Sequence, residues 1–482
     1  MTPPVEEISD SRLNGVPPLP GTYDGGAPRD PTSSKPPVPH ASLIPSSASA
    51  SLTMRMVLAT WWPLAASWVL MGVEMPLITA VLGRLPDETV QLAAYGGVFF
   101  PLSLAIEAPV IMLLAASTRL CDSPTNYRFL QRFSRVLGIG LTGVHGLIAF
   151  TPLFDLIVVP LLDTPEAVVE PARLGFQFML PFTIAVAERR FHQGVLIRFG
   201  RQRQVGIGTL IRLVGTSTPL VIALVVGAEN GAAIAGIAIS CGVVSEAIYA
   251  RICVFSVERG PMLTAVSERV LDLATTIRFY FPLALTSVLS LASYPFCSAG
   301  INRMPEALTS LAIWSAVSGL GFFTRSSGMA FNEVVIRHAG DPGGRRALRR
   351  FMLIAGTIMS GIVALIAATP LGEAWYIGLE RIPEDGMNLA RIATWLLIPM
   401  PFLTFLISYW QGLLVDVHET RPISEGVAIG LTTIAIVLVA FVWIGTLGGA
   451  VAATLALTLA SIFQAAWLAW RWRTIRKRAE AG

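Results

Sequence analysis

Long apolar stretches alternate with short polar segments from about residue 55 to residue 470. A helix that crosses a membrane needs about 20 mainly apolar residues, and the chain supplies twelve stretches of that kind. The predicted spans are 57–81, 92–117, 134–158, 172–197, 205–226, 231–255, 276–300, 308–335, 351–370, 388–414, 422–444 and 449–470. The pattern therefore predicts an all-α polytopic membrane protein.

The second half of the sequence repeats the first. A step of 218 residues takes Thr151-Pro152-Leu153 to Thr369-Pro370-Leu371 and Gln193-Gly194 to Gln411-Gly412. A step of 219 relates the upstream residues, as in Pro63-Leu64-Ala65 and Pro282-Leu283-Ala284. Duplicated apolar halves are the usual build of secondary transporters, so the repeat predicts two pseudo-symmetric lobes of six helices.

The repeat and the polar segments divide the chain into five regions. Residues 1–53 are rich in Pro, Ser and Gly and are expected to be a disordered tail. The other regions are an N-lobe at 54–255, a cytoplasmic linker at 256–275, a C-lobe at 276–470 and a basic tail at 471–482.

Composition agrees with a bilayer environment. Hydrophobic residues make up 53% of the 482 residues, charged residues only 14%, and the mean hydropathy is +0.64; soluble domains carry about 25% charged residues. The net charge of +4 lies in the loops and indicates membrane orientation rather than nucleic-acid binding. Phosphate-binding loops, catalytic histidine motifs and cysteine spacings for a metal are all missing from the sequence, so it favours neither an enzyme nor a metal site.

Arginines are concentrated in alternate loops, at 119–133, 198–204 and 337–350, and in the tail after 470. The loops between them are acidic or neutral. Because basic loops remain on the cytoplasmic side, we predict that both termini are cytoplasmic in an inner (plasma) membrane.

Ionisable side chains inside spans are the candidate functional groups, since each is costly in a bilayer unless it is paired or hydrated. They are Glu74, Glu107, Glu188, Arg189, Arg190, Arg212, Glu246, Arg325 and Glu333, with Asp416 and Glu425 near the ends of spans 10 and 11. Arg189 and Arg190 suggest either an anion-attracting wall or side chains that reach the head groups. Glu74 suggests either a site for a coupling proton or cation, or a structural hydrogen bond. For Glu246 a structural role is the favoured interpretation.

The repeat places two of these charges at neighbouring positions in the two copies. Position 106 corresponds to 325 by the step of 219, so Glu107 and Arg325 should lie at similar depth in opposite lobes. We predict that they pair across the lobe interface or form two walls of one polar site. The alternative is that each pairs within its own lobe.

Short motifs resemble the MOP superfamily of exporters and flippases. The segment 191–201 (FHQGVLIRFGR) and the segment 161–166 (LLDTPE) are similar to the fourth span and its preceding loop in multidrug and toxic compound extrusion (MATE) proteins. The segments 92–96 (LAAYG) and 180–187 (LPFTIAVA) are similar to the progressive ankylosis (ANK) family. The carboxylate pattern by which the multidrug members bind cations has no residue-by-residue match.

The resemblance implies a central cavity lined by spans 1, 2, 4, 7, 8 and 10. The candidate pathway residues are Glu74, Glu107, Arg189, Arg190, Arg325, Glu333, Gln193 and Gln411. We expect a secondary active transporter that works by alternating access and exports a small organic anion or a pyrophosphate-like solute. We also expect a monomer in the lipid bilayer, with no cofactor and with H⁺ or Na⁺ as the candidate coupling ion.

Three alternatives remain open. A MATE-type multidrug or cation antiporter and a flippase of a lipid-linked substrate belong to the same class of protein. A non-transporting membrane scaffold is a different class, and it would not need buried charges at matched depth in both lobes.

Overall fold

The computed structural model describes residues 52–265, 270–417 and 419–481. The predicted tail therefore lies almost wholly outside the described residues. The described chain forms twelve long helical segments, one for each predicted span. They are α1 Met54–Leu82, α2 Glu88–Leu120, α3 Pro124–Phe150, α4 in two parts Glu166–Phe178 and Leu180–Arg198, α5 Gln202–Val226, α6 Gly231–Glu258, α7 Leu273–Asn302, α8 Ala307–His338, α9 Gly344–Ala368, α10 Glu384–Asp416, α11 Arg421–Ile444 and α12 Gly449–Arg478.

By length and composition, eleven helices of the described chain are able to cross a membrane. The twelfth segment, α4, carries Glu188, Arg189 and Arg190 in its second part and is interrupted at Met179. Pro181 lies in the first turn of that second part, where a missing backbone N–H leaves no helical hydrogen bond unmade. The prediction of an all-α polytopic membrane protein is confirmed, and each of the twelve predicted spans coincides with a helical segment of the described residues.

The third predicted span ends too late. Helix α3 ends at Phe150, and Thr151 is extended with φ −126° and ψ 169°. Pro152 then begins a separate short helical turn. The apolar run that predicted a span to 158 belongs instead to the loop that leads into α4.

The duplication is visible in the backbone. Four non-glycine residues of the described chain have positive φ, and they form two pairs related by the repeat: Asp87 with Glu306, and Asp163 with Arg381. Their φ values, 54° with 55° and 57° with 54°, agree within each pair. Because a positive φ is unfavourable for residues with a side chain, these matches indicate that both copies retain the same loop geometry.

The lobes meet around a pseudo-two-fold axis. Gly96 on α2 and Ser315 on α8 are related by the repeat, and a Cβ on Gly96 would lie 1.9 Å from the Ser315 hydroxyl. The Ser315 hydroxyl donates a hydrogen bond of 2.6 Å to the Leu92 carbonyl. Two repeat-related residues touch only where the symmetry axis passes between them, so α2 and α8 cross at that axis.

The first helix of each lobe also leans on the opposite lobe. Trp61 on α1 packs against Phe351 and Phe405 and donates a 3.0 Å hydrogen bond to the Ser327 carbonyl. On α7, the Tyr280 hydroxyl donates to the Pro109 carbonyl of α2. Because the start of α1 packs against the C-lobe, a space remains between α1 and the N-lobe helices α4, α5 and α6.

Candidate functional site

A cavity of about 800 Å³ occupies the space between α1 and the N-lobe helices. We call the side with the arginine-rich loops the inner side, and the side with the loops 151–165 and 369–383 the outer side. The cavity reaches Ile197 and Gln202, at the inner ends of α4 and α5, and Arg337, near the inner end of α8. It therefore opens toward the inner side.

One wall of the cavity is apolar and the other is charged. The apolar wall on α1 includes Pro63, Leu64, Trp68 and Met71. The charged residues are contributed by α4, α6 and α8. They are Arg189, Arg190, Glu246, Glu333 and Arg337.

Arg189 forms a buried ion pair in the wall of this cavity. Its Nη1 donates a 2.8 Å hydrogen bond to Glu246 on α6, and the two side chains are only 5% and 2% exposed. The Gln193 amide donates a second hydrogen bond of 2.8 Å to the other oxygen of the same carboxylate. Glu246 thus holds two residues of α4 in fixed orientations, and charge-assisted bonds of this kind are the strong ones.

A second ion pair lies deeper in the N-lobe. The Glu74 carboxylate on α1 accepts hydrogen bonds from both the Nε and Nη2 atoms of Arg212 on α5. Thr216, one turn along α5, donates a further 2.7 Å hydrogen bond to Glu74. This bidentate arrangement links α1 to α5.

Glu107 belongs to the same cluster. Its side chain is buried on α2, and its Oε2 atom has no hydrogen-bond partner. The cations that act on it electrostatically are Arg189, Arg190 and Arg212. Three carboxylates and three guanidinium groups therefore form one cluster, the N-lobe charge cluster. Its members are Glu74, Glu107, Arg189, Arg190, Arg212 and Glu246.

Arg325 lies elsewhere. Its Nε donates a 2.9 Å hydrogen bond to Thr404 within the C-lobe, and its guanidinium lines a separate cavity of about 30 Å³ beside Tyr294. Glu107 and Arg325 make no ion pair in this conformation. Their similar depth, and their pairing across the interface in another conformation, stay predictions.

Arg190 is the cation of the cluster that is left free. It makes no ion pair with the described residues, and its Nε is buried without a hydrogen-bond partner. Its neighbour Arg189 forms an ion pair with Glu246, and Arg212 forms one with Glu74. A guanidinium that lines a cavity without an ion pair is able to bind a carboxylate or phosphate group.

The remaining predicted residues divide between the lobes. Glu333 is exposed to the cavity on α8, and Gln193 lies on its opposite wall. Gln411, the repeat counterpart of Gln193, is half-buried on α10 and is not among the residues that line the cavity. The copied glutamine therefore does not mark a second copy of the site.

The charge cluster is confined to the N-lobe. At the C-lobe positions equivalent to Arg189, Arg190, Arg212 and Glu246 the sequence has Ile407, Ser408, Gly430 and Gln464. This comparison is the signal that would have added Arg212 and Glu246 to the predicted site. Both were recognised as intramembrane charges, but only the folded helices show that they hold Glu74, Arg189 and Gln193.

The outer end of the lobe interface is closed by two arginines related by the repeat. Arg84, just after α1, donates to the carbonyls of Gly378 and Leu379 in the C-lobe. Arg303, just after α7, donates to the carbonyls of Leu161 and Leu162 in the N-lobe. We call these contacts the outer gate. One arginine of each lobe thus holds the outer loop of the other lobe through hydrogen bonds.

No family model matches the sequence, and no curated protein sequence matches it. Solved structures do match. An inward-facing multidrug resistance MATE family transporter of the MOP superfamily gives a TM-score of 0.66 at 15% identity, over 88% of this chain and 99% of that chain. The lipid II flippase MurJ, in an inward closed conformation, gives 0.64 at 12% identity over 85% and 87%.

A third match is a MOP superfamily transporter from Pyrococcus furiosus whose binding pocket is described as reversed in polarity. It gives a TM-score of 0.61 at 16% identity, over 88% of this chain and 97% of that chain. The resemblance to the ANK family stays a prediction. The chain is a multi-pass membrane protein with the two-lobed fold of MOP superfamily transporters, as its short motifs predicted.

Proposed function

We propose that this protein is a secondary active transporter that exports a small organic anion by alternating access. The observation that carries the proposal is Arg190, a guanidinium that lines the cavity between the lobes without an ion pair. Arginine binds carboxylate and phosphate groups through two parallel hydrogen bonds, so Arg190 selects for these groups.

The charge of the cavity supports an anionic substrate. Three arginines and two glutamates line it, and one arginine is already neutralised by Glu246. The apolar wall formed by α1 opposes these charges across the cavity. A solute with an anionic group and an apolar part fits both walls, so we favour an organic anion over pyrophosphate.

Alternating access is supported by the two ends of the lobe interface. The outer gate is closed by Arg84 and Arg303, while the cavity is open on the inner side. Because the two clamps are related by the repeat, a rocking motion of one lobe against the other would break both together. We propose that a gradient of H⁺ or Na⁺ drives the transport, and we assign no binding site to the coupling ion.

Orientation is tested by labelling. Arg345, Glu166 and Glu384 are exposed, and each can be replaced singly by cysteine. In intact cells a membrane-impermeant maleimide should label Glu166→Cys and Glu384→Cys and leave Arg345→Cys unlabelled, because basic loops stay in the cytoplasm. The reverse pattern would place the cavity opening on the outside of the cell.

Substrate charge is tested in reconstituted vesicles. We expect protein-dependent movement of an organic anion that carries an apolar part, such as phenyl phosphate, with or without an imposed H⁺ or Na⁺ gradient, and no movement of a cationic dye. Vesicles with the purified but heat-denatured protein serve as the control. Movement of the dye without any anion would favour a multidrug antiporter, and movement of a fluorescent anionic lipid alone would favour a flippase.

A further inference from the structure

The two halves of the outer gate differ at one position. In the N-lobe loop the residue clamped by Arg303 is Leu162, and its repeat counterpart in the C-lobe loop is Glu380. Glu380 is fully buried, and its carboxylate makes no ion pair in the described structure. The gate therefore encloses an ionisable carboxyl group at the position where its other half has a leucine.

The surroundings of Glu380 offer little compensation for a negative charge. Arg84, the cation that acts on Glu380 electrostatically, directs its guanidinium to the carbonyls of Ala80, Gly378 and Leu379 and makes no ion pair with Glu380. The other polar groups that face it are Thr79 on α1, Tyr95 on α2 and Tyr376 in its own loop. The Thr79 hydroxyl lies within reach of Glu380 and also of the Met75 and Pro76 carbonyls, so its single proton offers the carboxyl group at most one shared hydrogen bond.

The backbone at this point is packed against α1. A Cβ on Gly83 would lie 2.2 Å from the Glu380 carbonyl and 2.8 Å from the Arg381 Cβ. Glu380 is therefore buried by the contact between the lobes, and separation of the lobes would expose it to water. A carboxylate buried without an ion pair is far less favourable than a protonated carboxyl group.

We propose that Glu380 is a proton-binding site of the outer gate, occupied by a proton from the outer side when the gate closes and vacated when it opens. This inference rests on the proposed alternating-access function. Burial raises the pKa of Glu380 to about 8 in the closed gate, whereas a hydrated glutamate titrates near about 4.3. Because the proton returns to the side from which it came, Glu380 sets the pH response of the gate and carries no net proton across the membrane.

The sign of the pH effect follows from these two values. Closing takes up a proton between about pH 4.3 and pH 8, so the closed state is favoured at the acidic end of this window and loses that advantage as the pH rises. The ratio of closed to open gates should fall roughly tenfold per pH unit within it. Glu380→Leu, which copies Leu162 of the other half, should keep the gate closed at every pH.

The test is the accessibility of the gate from the outer side. Leu162→Cys places a thiol at a site that is only 5% exposed in the closed gate, and its rate of modification by an impermeant maleimide reports opening. The rate is measured from pH 5 to pH 9 with Glu380 intact, with Glu380→Leu and with Asp385→Asn, a neutralised exposed acid of the same loop. Mass spectrometry assigns the label to position 162.

Dividing each rate by that of Glu380→Leu removes the intrinsic pH dependence of the thiol. We expect this relative rate to rise roughly tenfold per pH unit toward pH 8, with Asp385→Asn behaving like the protein with Glu380 intact. A flat relative rate would overturn the proton site, as would a rate that follows the Na⁺ concentration at constant pH. The labelling requires no substrate, so a flat rate with working anion transport removes only this inference, and a pH-dependent rate without transport of any anion removes only the proposed function.

Discussion

Glu246→Gln is expected to destabilise the protein by about 3–5 kcal/mol, because it leaves the buried Arg189 guanidinium without its counter-ion. The loss reflects one uncompensated charge rather than the net value of the ion pair, since both partners also lose hydration on burial. The change is measured as the stability of the purified protein in detergent, from thermal or denaturant unfolding.

The repeat supplies the matched control. At the positions of Arg189 and Glu246 the C-lobe has Ile407 and Gln464, so the double variant Arg189→Ile with Glu246→Gln copies a pairing that this fold already accommodates. We expect it to recover most of the lost stability. Arg135→Ala removes an ion pair with Glu188 whose arginine is 50% exposed, and such a change typically costs about 0–1 kcal/mol. A double variant as unstable as Glu246→Gln would mean that other contacts of these side chains dominate.

Arg190→Ser is expected to abolish high-affinity anion transport and to leave the fold intact. Serine is the residue at the equivalent C-lobe position, Ser408. Arg190 makes no ion pair with a described residue, and Glu107 keeps Arg189 and Arg212 as electrostatic partners when Arg190 is removed. A hydrogen bond to a charged group contributes about 1.5–3 kcal/mol, which corresponds to roughly a 10- to 100-fold increase in the substrate concentration needed for half-maximal uptake.

Two further variants separate the charge of Arg190 from its shape. Arg190→Lys keeps the charge but loses the planar fork, so it should restore transport only in part. Arg135→Ser removes an arginine outside the cavity and should transport normally. Anion transport by Arg190→Ser with unchanged affinity would contradict the role given to Arg190, and a fall in its thermal stability equal to that of Glu246→Gln would indicate a structural role instead.

The two lobes share their loop geometry but differ in their intramembrane charges. The duplicated halves keep the same loop geometry, as the paired φ values of Asp87 and Glu306 illustrate. The N-lobe nevertheless concentrates its intramembrane charges around Arg189 and Arg212, while the C-lobe has neutral residues at the same positions. A charged cluster is costly in a membrane unless function requires it, so we place substrate binding on the N-lobe side of the cavity.

The sequence by itself determined the number of helices, their order and their duplication. The bilayer imposes this outcome, because every backbone polar group must be satisfied within the helix that crosses it, and a long apolar run therefore has one solution. The end of α3 was predicted wrongly because the run 151–158 is apolar but begins with Thr151-Pro152, and its helical turns belong to a loop.

Only the tertiary structure decided which charges meet. The repeat predicted a similar depth for Glu107 and Arg325, but depth says nothing about the rotation of a helix about its axis, and the rotation turns Glu107 toward the N-lobe arginines. The partners of Arg189 and Glu74 come from α6 and α5, far along the chain, so no local spacing encodes these pairs. Glu380 is one more acid in a polar loop when it is read as sequence. Its burial results from the packing of that loop against Gly83 and α1 of the other lobe, because a loop residue loses its contact with water only where two separately folded parts of the chain meet.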